Sequence, residues 1–327
     1  MVERRQRFVK PAAFGIAGVI LLALPQFIPE YHTHLMTTVL FFGYLGTAWN
    51  ILGGYAGQFS FGHTAFFGLG AFTSSLLQLH AGVNPWIGMI FAGVIGTIMG
   101  LFIGSLCFRY GLKGPFFALA MLALAEMLRL VSIQMMTEKY PLGIYIPMQA
   151  SSLLNFQFRN KVPYYYIILL MTVGALLLVN ALEKRRIGSY FKAIRENEGA
   201  AESLGVNAFK YKLLAMGISA FLTAIGGTFY AQYYLTLDDE AAFGVANSIE
   251  ILLGPIIGGA GTVFGPVLGA GILEFLSETS RNFLGGFSGA HLMVYGAVLI
   301  IVIVFLPDGI LGGLKMAFYK ISRSKQE

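Results

Sequence analysis

EKRRIGSYFKAIRENEGAAESLGVNAFKYK, residues 183–212, is the stretch that decides how this chain is read. Charge concentrates here, and long apolar runs flank it on both sides. The chain has 327 residues, 56% hydrophobic and 12% charged, where soluble domains are about a quarter charged. Apolar runs of the length that crosses a bilayer, roughly 17–25 residues, recur along it. The expected fold is all-α: a polytopic transmembrane helical bundle of about 8–10 membrane segments in a single domain spanning residues 1–327. A β-barrel would instead show alternating segments of about ten residues.

The candidate spans are residues 8–28, 35–52, 63–79, 86–108, 115–136, 163–182 and 209–234. A Gly/Pro-broken region follows at 246–276, and a last span at 289–306. The basic N-terminus and the run after it read as an uncleaved first span. Lys and Arg orient the chain. Arg4, Arg5, Arg7 and Lys10 put the N-terminus in the cytoplasm. Lys184, Arg185, Arg186 and Lys192 put the charged stretch there, and Lys315, Lys320, Arg323 and Lys325 the C-terminus. The net charge of +6 therefore serves orientation beside membrane lipid, not nucleic-acid binding.

Parity then constrains the second half. Residues 209–234 end outside, and 289–306 must start outside to end inside. Residues 246–276 must leave and return on the outer side. Their centre, GPIIGGAGTVFGP at 254–266, lacks donors at proline and weakens helix at glycine. It predicts two helices or a re-entrant hairpin broken around Gly258–Gly265. A similar break, GGYAGQFSFG, lies at 53–62. Paired interrupted segments in two halves point to a transport path, because irregular backbone at membrane depth must be buried or line a cavity. Gly54, Gly57, Gly259 and Gly261 are the expected backbone lining. Gln58 and His63 either bind carbonyls of the broken backbone or line the path.

Within the charged stretch, Ser189 suits an N-cap and Gly205 a left-handed C-terminal position, which frames one helix over 189–204. Lys192 with Glu196 and Arg195 with Glu198 have ion-pair spacing. Tyr190, Ile194, Ala201 and Leu204 form an apolar stripe. The helix either rests on the bilayer or docks a soluble partner. A longer connection at 137–162 is the large outer loop.

Ionisable residues inside spans are costly and default to functional roles. Glu126 and Arg129 are three apart and form either a structural ion pair or part of the path. Gly96, Gly100 and Gly104 form a ridge for close helix contact, within the chain or with a second subunit. Cys107 reads as a small core residue. No Walker A motif, zinc spacing or nucleophile triad occurs, so no catalytic residue, metal or cofactor is expected, and energy must come from a partner or an ion gradient.

AIRENEGAAESLGVNAFKYKLLAMGISAFLTAIGG, residues 193–227, resembles the permeases of branched-chain amino acid ABC importers, the LivH/LivM permease family, with the LivM type the nearer. GGYAGQFSFGHTAFFGLGAF at 53–72, LALAEMLRLV at 122–131 and GGAGTVFGPVLGAG at 258–271 are similar to that family too. The resemblance implies a second homologous permease, two cytoplasmic ABC ATPases, and a periplasmic or extracellular amino-acid-binding protein. It implies the plasma membrane of a prokaryote, the inner membrane in a Gram-negative cell. It also implies that residues 189–204 are the coupling helix that sits on the ATPase, with Ala193, Ile194, Arg195, Glu196, Asn197, Glu198, Ala201, Glu202, Leu204 and Gly205 forming its motif. The usual Glu-Ala-Ala pattern is here Glu198-Gly-Ala-Ala, one residue longer. An importer of urea or short amides is the alternative within the family. An ion-coupled secondary transporter is the alternative from another class.

Overall fold

The structure, a computed structural model, describes residues 21–283 except 142 and 150, together with 18, 293, 296, 297, 300, 304 and 309–313. Most of the first and of the last predicted span, and the basic termini that orient the chain, lie outside these residues.

Helix follows helix, as the apolar runs predict. α1 (Glu30–Asn50) passes without interruption into a π-helical turn, π1 (Ile51–Tyr55). After an irregular stretch come α2 (His63–Ala81), α3 (Pro85–Arg109) and α4 (Pro115–Lys139). α5 (Val162–Lys184) leads into two short helices, α6 (Arg186–Glu196) and α7 (Glu198–Ser203). α8 (Ala208–Tyr234) crosses the bundle. A short helix α9 (Asp239–Phe243) precedes α10 (Val245–Gly258) and α11 (Gly265–Phe283). Two-residue strands, β1 (Ile144–Tyr145) and β2 (Thr236–Leu237), pair antiparallel at the end of the bundle opposite α6 and α7.

Among the described residues, six helical segments are long and apolar enough to cross a membrane. Their outward faces confirm the solvent they are built for. Ile90, Phe91, Ile98 and Phe102 of α3 are all more than half exposed, a continuous apolar face that water would not tolerate. The chain is a multi-pass membrane protein.

Small residues set the spacing of the bundle. A Cβ on Gly96 would lie 2.5 Å from Ala224 Cβ, one on Gly100 2.7 Å from Ala220 Cβ, and one on Gly104 3.1 Å from Met216 Cγ. The glycine ridge of α3 therefore packs on α8 of the same chain. Gly70 and Gly227 bring α2 against α8 at similar range. Polar ends are capped locally: Asn84 accepts from Trp86 N–H at the start of α3, and Asn207 from Lys210 N–H at the start of α8.

The Gly/Pro-rich region is a helical hairpin. α10 and α11 run antiparallel, with Gly258 against Gly265 and Gly254 against Gly269 at backbone contact. The hairpin clasps α1 through Gly46 on Pro255 and Gly43 on Val267. The predicted outer loop is shorter than expected, because Thr137–Lys139 complete α4. The rest of it is pinned: Phe156, fully buried, stacks on Trp86 with ring centroids 4.4 Å apart, and Trp86 Nε1 donates to Leu153 O at 2.7 Å.

The single helix expected over 189–204 is two helices. It starts earlier, at Arg186, and breaks at Asn197, whose backbone is extended (φ −159°, ψ 106°). Asn197, not Ser189, is the capping side chain, accepting from Ala200 N–H at 3.0 Å. Asparagine competes well for a cap, and the extra residue after Glu198 gives the chain room to restart. Gly205 does take the left-handed conformation at φ +86°.

Candidate functional site

The two Gly-rich breaks, about 200 residues apart in sequence, meet in space. π1 widens the last turn of α1, so that Ala56 N–H bonds Ile51 O and Gln58 N–H reaches back to Leu52 O. Such bulges free carbonyls from the helical ladder. Facing them is the turn between α10 and α11. Asn50 joins the two: its Nδ2 donates to Thr262 O at 2.8 Å, and its Oδ1 accepts from Gly261 N–H at 2.8 Å. Gly54 must be glycine, since a Cβ there would lie 1.8 Å from Asn50 Oδ1 and 2.5 Å from Gly261 N. Gly57, Gly259 and Gly261 adopt φ of +69°, +124° and +75°, a region open to glycine at little cost.

Arg195 completes this joint from α6. Its Nη1 donates to Gly54 O at 2.8 Å. A Cβ on Gly57 would lie 2.7 Å from Arg195 Cγ, and one on Gly261 2.4 Å from Arg195 Nη1. The stem of Arg195 thus lies over one break and its guanidinium reaches the other. The sequence groups Gly54, Gly57, Gly259 and Gly261 together and Arg195 elsewhere; the structure brings all five to one place. Asn50 was missed by sequence reasoning. Its signal was a lone amide three residues before Gly-Gly, at the end of an apolar run.

His63 and Gln58 flank the joint. His63 is buried and bonds hydroxyls instead of carbonyls: Nδ1 faces Ser60 Oγ at 3.0 Å and Nε2 faces Ser219 Oγ at 2.8 Å. Ser219 Oγ donates to Ala48 O at 2.7 Å, so it accepts from an Nε2–H tautomer. Gln58 Nε2 donates to Ala56 O at 3.2 Å, while its buried Oε1 has no partner among the described residues.

The residues of the 193–205 motif divide into two sets. Ile194 and Ala201 are buried against Ala208 and hold α6 and α7 onto the base of α8. Glu198 accepts from Lys212 Nζ at 2.6 Å and pairs with Lys113 at 3.1 Å. Burial raises the Glu198 carboxyl, but these two ammonium groups outweigh it and hold the group below the ordinary carboxylate value. Lys192 pairs with Glu183 at 2.7 Å, and Arg195 with Glu196 at 2.9 Å. The expected Lys192–Glu196 and Arg195–Glu198 pairs do not form, because the break at Asn197 shifts the register and acids from α5 and bases from α8 compete. Turned outward are Glu196, Asn197, Glu202, Gly205 and Leu204, the last 85% exposed; Ala193 is half-buried.

Farther along the bundle, Arg129 grips Glu126 through two bonds, Nε at 2.9 Å and Nη2 at 2.7 Å. Its Nη1 also reaches Asp239 at 3.1 Å, which ties α4 to α9. Toward the end opposite α6 and α7, Thr37, Thr38, Phe41, Phe229, Tyr230, Tyr233 and Tyr234 line a small cavity of about 10 Å³, the space of a single water. Its walls are aromatic, with a rim of hydroxyls.

Known proteins resemble the chain over most of this architecture. It is 27% identical over 317 residues to the high-affinity branched-chain amino acid transport system permease protein LivM of Salmonella typhimurium, covering 90% of this chain and 73% of the relative. Its identity to LivM of Escherichia coli is 27% over 328 residues, covering 93% and 75%. The Escherichia coli permease protein LivH is 26% identical over 140 residues, covering 43% and 44%. No solved structure matches. The family model described as the permease component of branched-chain amino acid transport systems matches residues 15–303, which takes in α1 to α11, both breaks and the charged stretch. The chain belongs to this family of branched-chain amino acid transport system permease components.

Proposed function

We propose that this chain is the membrane subunit of an ATP-driven importer of leucine, isoleucine, valine or closely related neutral amino acids. It forms the translocation path with a second homologous permease. Two cytoplasmic ABC ATPases supply the energy, and a binding protein on the outer side delivers the amino acid. ATP hydrolysis belongs to the partners.

One observation carries the reading. α6 and α7 form a polar knob fastened to the bundle through Ile194, Ala201 and the Glu198–Lys212 pair, yet the knob presents Leu204, 85% exposed, beside Glu202 and Glu196. A helix resting on anionic headgroups would carry basic residues beside its apolar side chain, whereas Leu204 follows Glu202 closely and Glu196 is exposed on the same knob. A firmly held knob with an exposed leucine and acids fits the groove of a soluble partner. α6 and α7 then lie on the cytoplasmic side. The two breaks form the inner end of the path, closed in this conformation by Asn50 and Arg195.

Co-purification tests this. The two ATPases should follow the tagged wild-type chain and be lost with Leu204→Asp. Equal recovery with both would contradict the docking assignment.

A further inference from the structure

We propose that Arg195 is the positioning residue through which movement of the α6–α7 knob reaches the membrane path. Its seat is the Gly54 carbonyl at the joint of the two breaks. The inference rests on the importer reading above and goes beyond it, since docking of the knob says nothing of how its motion is transmitted.

Three observations converge. First, Arg195 belongs to the motif that resembles a partner-binding helix, yet its guanidinium turns into the bundle and donates to Gly54 O at 2.8 Å. Second, it touches both breaks at once, with its stem on Gly57 and its Nη1 beside Gly261. The same two breaks are already latched to each other by Asn50. A displacement of α6 therefore acts on one joined unit, not on a single helix. Third, Arg195 is not what keeps α6 in place. Phe191 and Ile194 are buried, Lys192 is paired with Glu183, and the Arg195 side chain remains 36% exposed.

The chemistry suits the task. π1 leaves the Gly54 carbonyl for an outside donor, and a charged donor makes a stronger bond than a neutral one. The positive φ of Gly57 and Gly261 puts backbone, not side chain, against the arginine, so a small shift of the guanidinium bears directly on the two turns. Coupling of this kind needs an element with two arrangements that both sites bias. The paired breaks, held by hydrogen bonds and not by a continuous helix, provide one.

The test uses the complete complex of both permeases and both ATPases in proteoliposomes, with labelled leucine delivered by the binding protein. The quantity read is leucine moved per ATP hydrolysed. Arg195→Ala should lower this ratio about tenfold, the size of a typical coupling free energy. Arg195→Lys, which keeps a charged donor within reach of Gly54 O, should recover part of it. Gly57→Ala, which pushes on the arginine stem from the other side, should lower it with Arg195 intact. If Arg195→Ala does not assemble, the other two variants decide, and both must fall below wild type. An unchanged ratio overturns the proposal, including the case where uptake and hydrolysis decline together, as loss of docking alone would produce. A wild-type complex that hydrolyses ATP and moves no leucine contradicts the importer reading instead, so the two failures are distinct.

Discussion

Asn50 and Gly261, separated by 211 positions in the chain, are joined by a hydrogen bond of 2.8 Å from the Gly261 N–H to the Asn50 side-chain oxygen. The other arm of the same amide holds Thr262 O, so one buried side chain satisfies both a donor and an acceptor of the broken backbone. An orphaned buried backbone group costs about 1–3 kcal/mol. Asn50→Ala should therefore lower stability by roughly 2–6 kcal/mol, since two groups lose their partners. Asn50→Asp retains the acceptor to Gly261 but removes the donor to Thr262 and introduces a buried charge. Thermal unfolding in detergent should place both variants well below wild type; unchanged melting would mean that Asn50 does not latch the breaks.

The glycine ridge makes a second prediction. Gly96→Ala places a methyl 2.5 Å from Ala224 Cβ and should cost about 1–3 kcal/mol through overpacking. Ala224→Gly removes the opposing methyl. The double substitution Gly96→Ala with Ala224→Gly should recover most of the loss, and a double variant no better than Gly96→Ala alone would refute the α3–α8 contact.

Acid should loosen α7. The Glu198 carboxyl is held below its unfolded value by Lys212 and Lys113, despite burial. A depressed acid contributes stability that is fully present above the unfolded carboxylate value of about 4.3 and fades as pH falls through the lower folded value. Hydrogen-exchange protection of residues 198–205, measured against the intrinsic exchange rate at each pH, should be high at neutral pH and fall below about pH 4. In Glu198→Gln that acid-side step should vanish. Because Lys212 is 2% exposed, the variant should also be destabilised at neutral pH by about 3–5 kcal/mol, the cost of breaking a buried pair. Identical acid profiles for the two chains would contradict the assignment.

Some of this was legible in the sequence, for physical reasons. The hairpin of α10 and α11 could be read because parity forbade a single span and because Gly254–Pro266 cannot sustain a regular helix. The four glycines of the breaks, Gly54, Gly57, Gly259 and Gly261, were legible as backbone positions because only broken backbone calls for that density of glycine. The α6–α7 break was not, because helix spacing on either side of Asn197 mimics one continuous stripe. The extra residue at Gly199 was the clue. Leu204 shares an apolar stripe with Ile194 and Ala201 on spacing alone, but after the break it faces outward while they are buried. The Glu198 pairings with Lys212 and Lys113 were invisible to local spacing, since they depend on how α4 and α8 approach the knob. Asn50 was not legible because a single neutral amide at the end of an apolar run carries neither charge nor periodicity to mark it.

The outward face of the knob gives a further prediction. Leu204 touches little of its own chain, so Leu204→Asp should leave thermal stability within about 0.5 kcal/mol of wild type while abolishing ATPase recovery. A large loss of stability would mean that Leu204 belongs to the core.

ATP-dependent uptake of labelled leucine by the complete complex in proteoliposomes tests the central claim most directly. The proposal predicts accumulation that requires ATP, the binding protein and this chain together, competed by isoleucine and valine and indifferent to urea. Uptake that proceeds without ATP and follows an imposed ion gradient would contradict it.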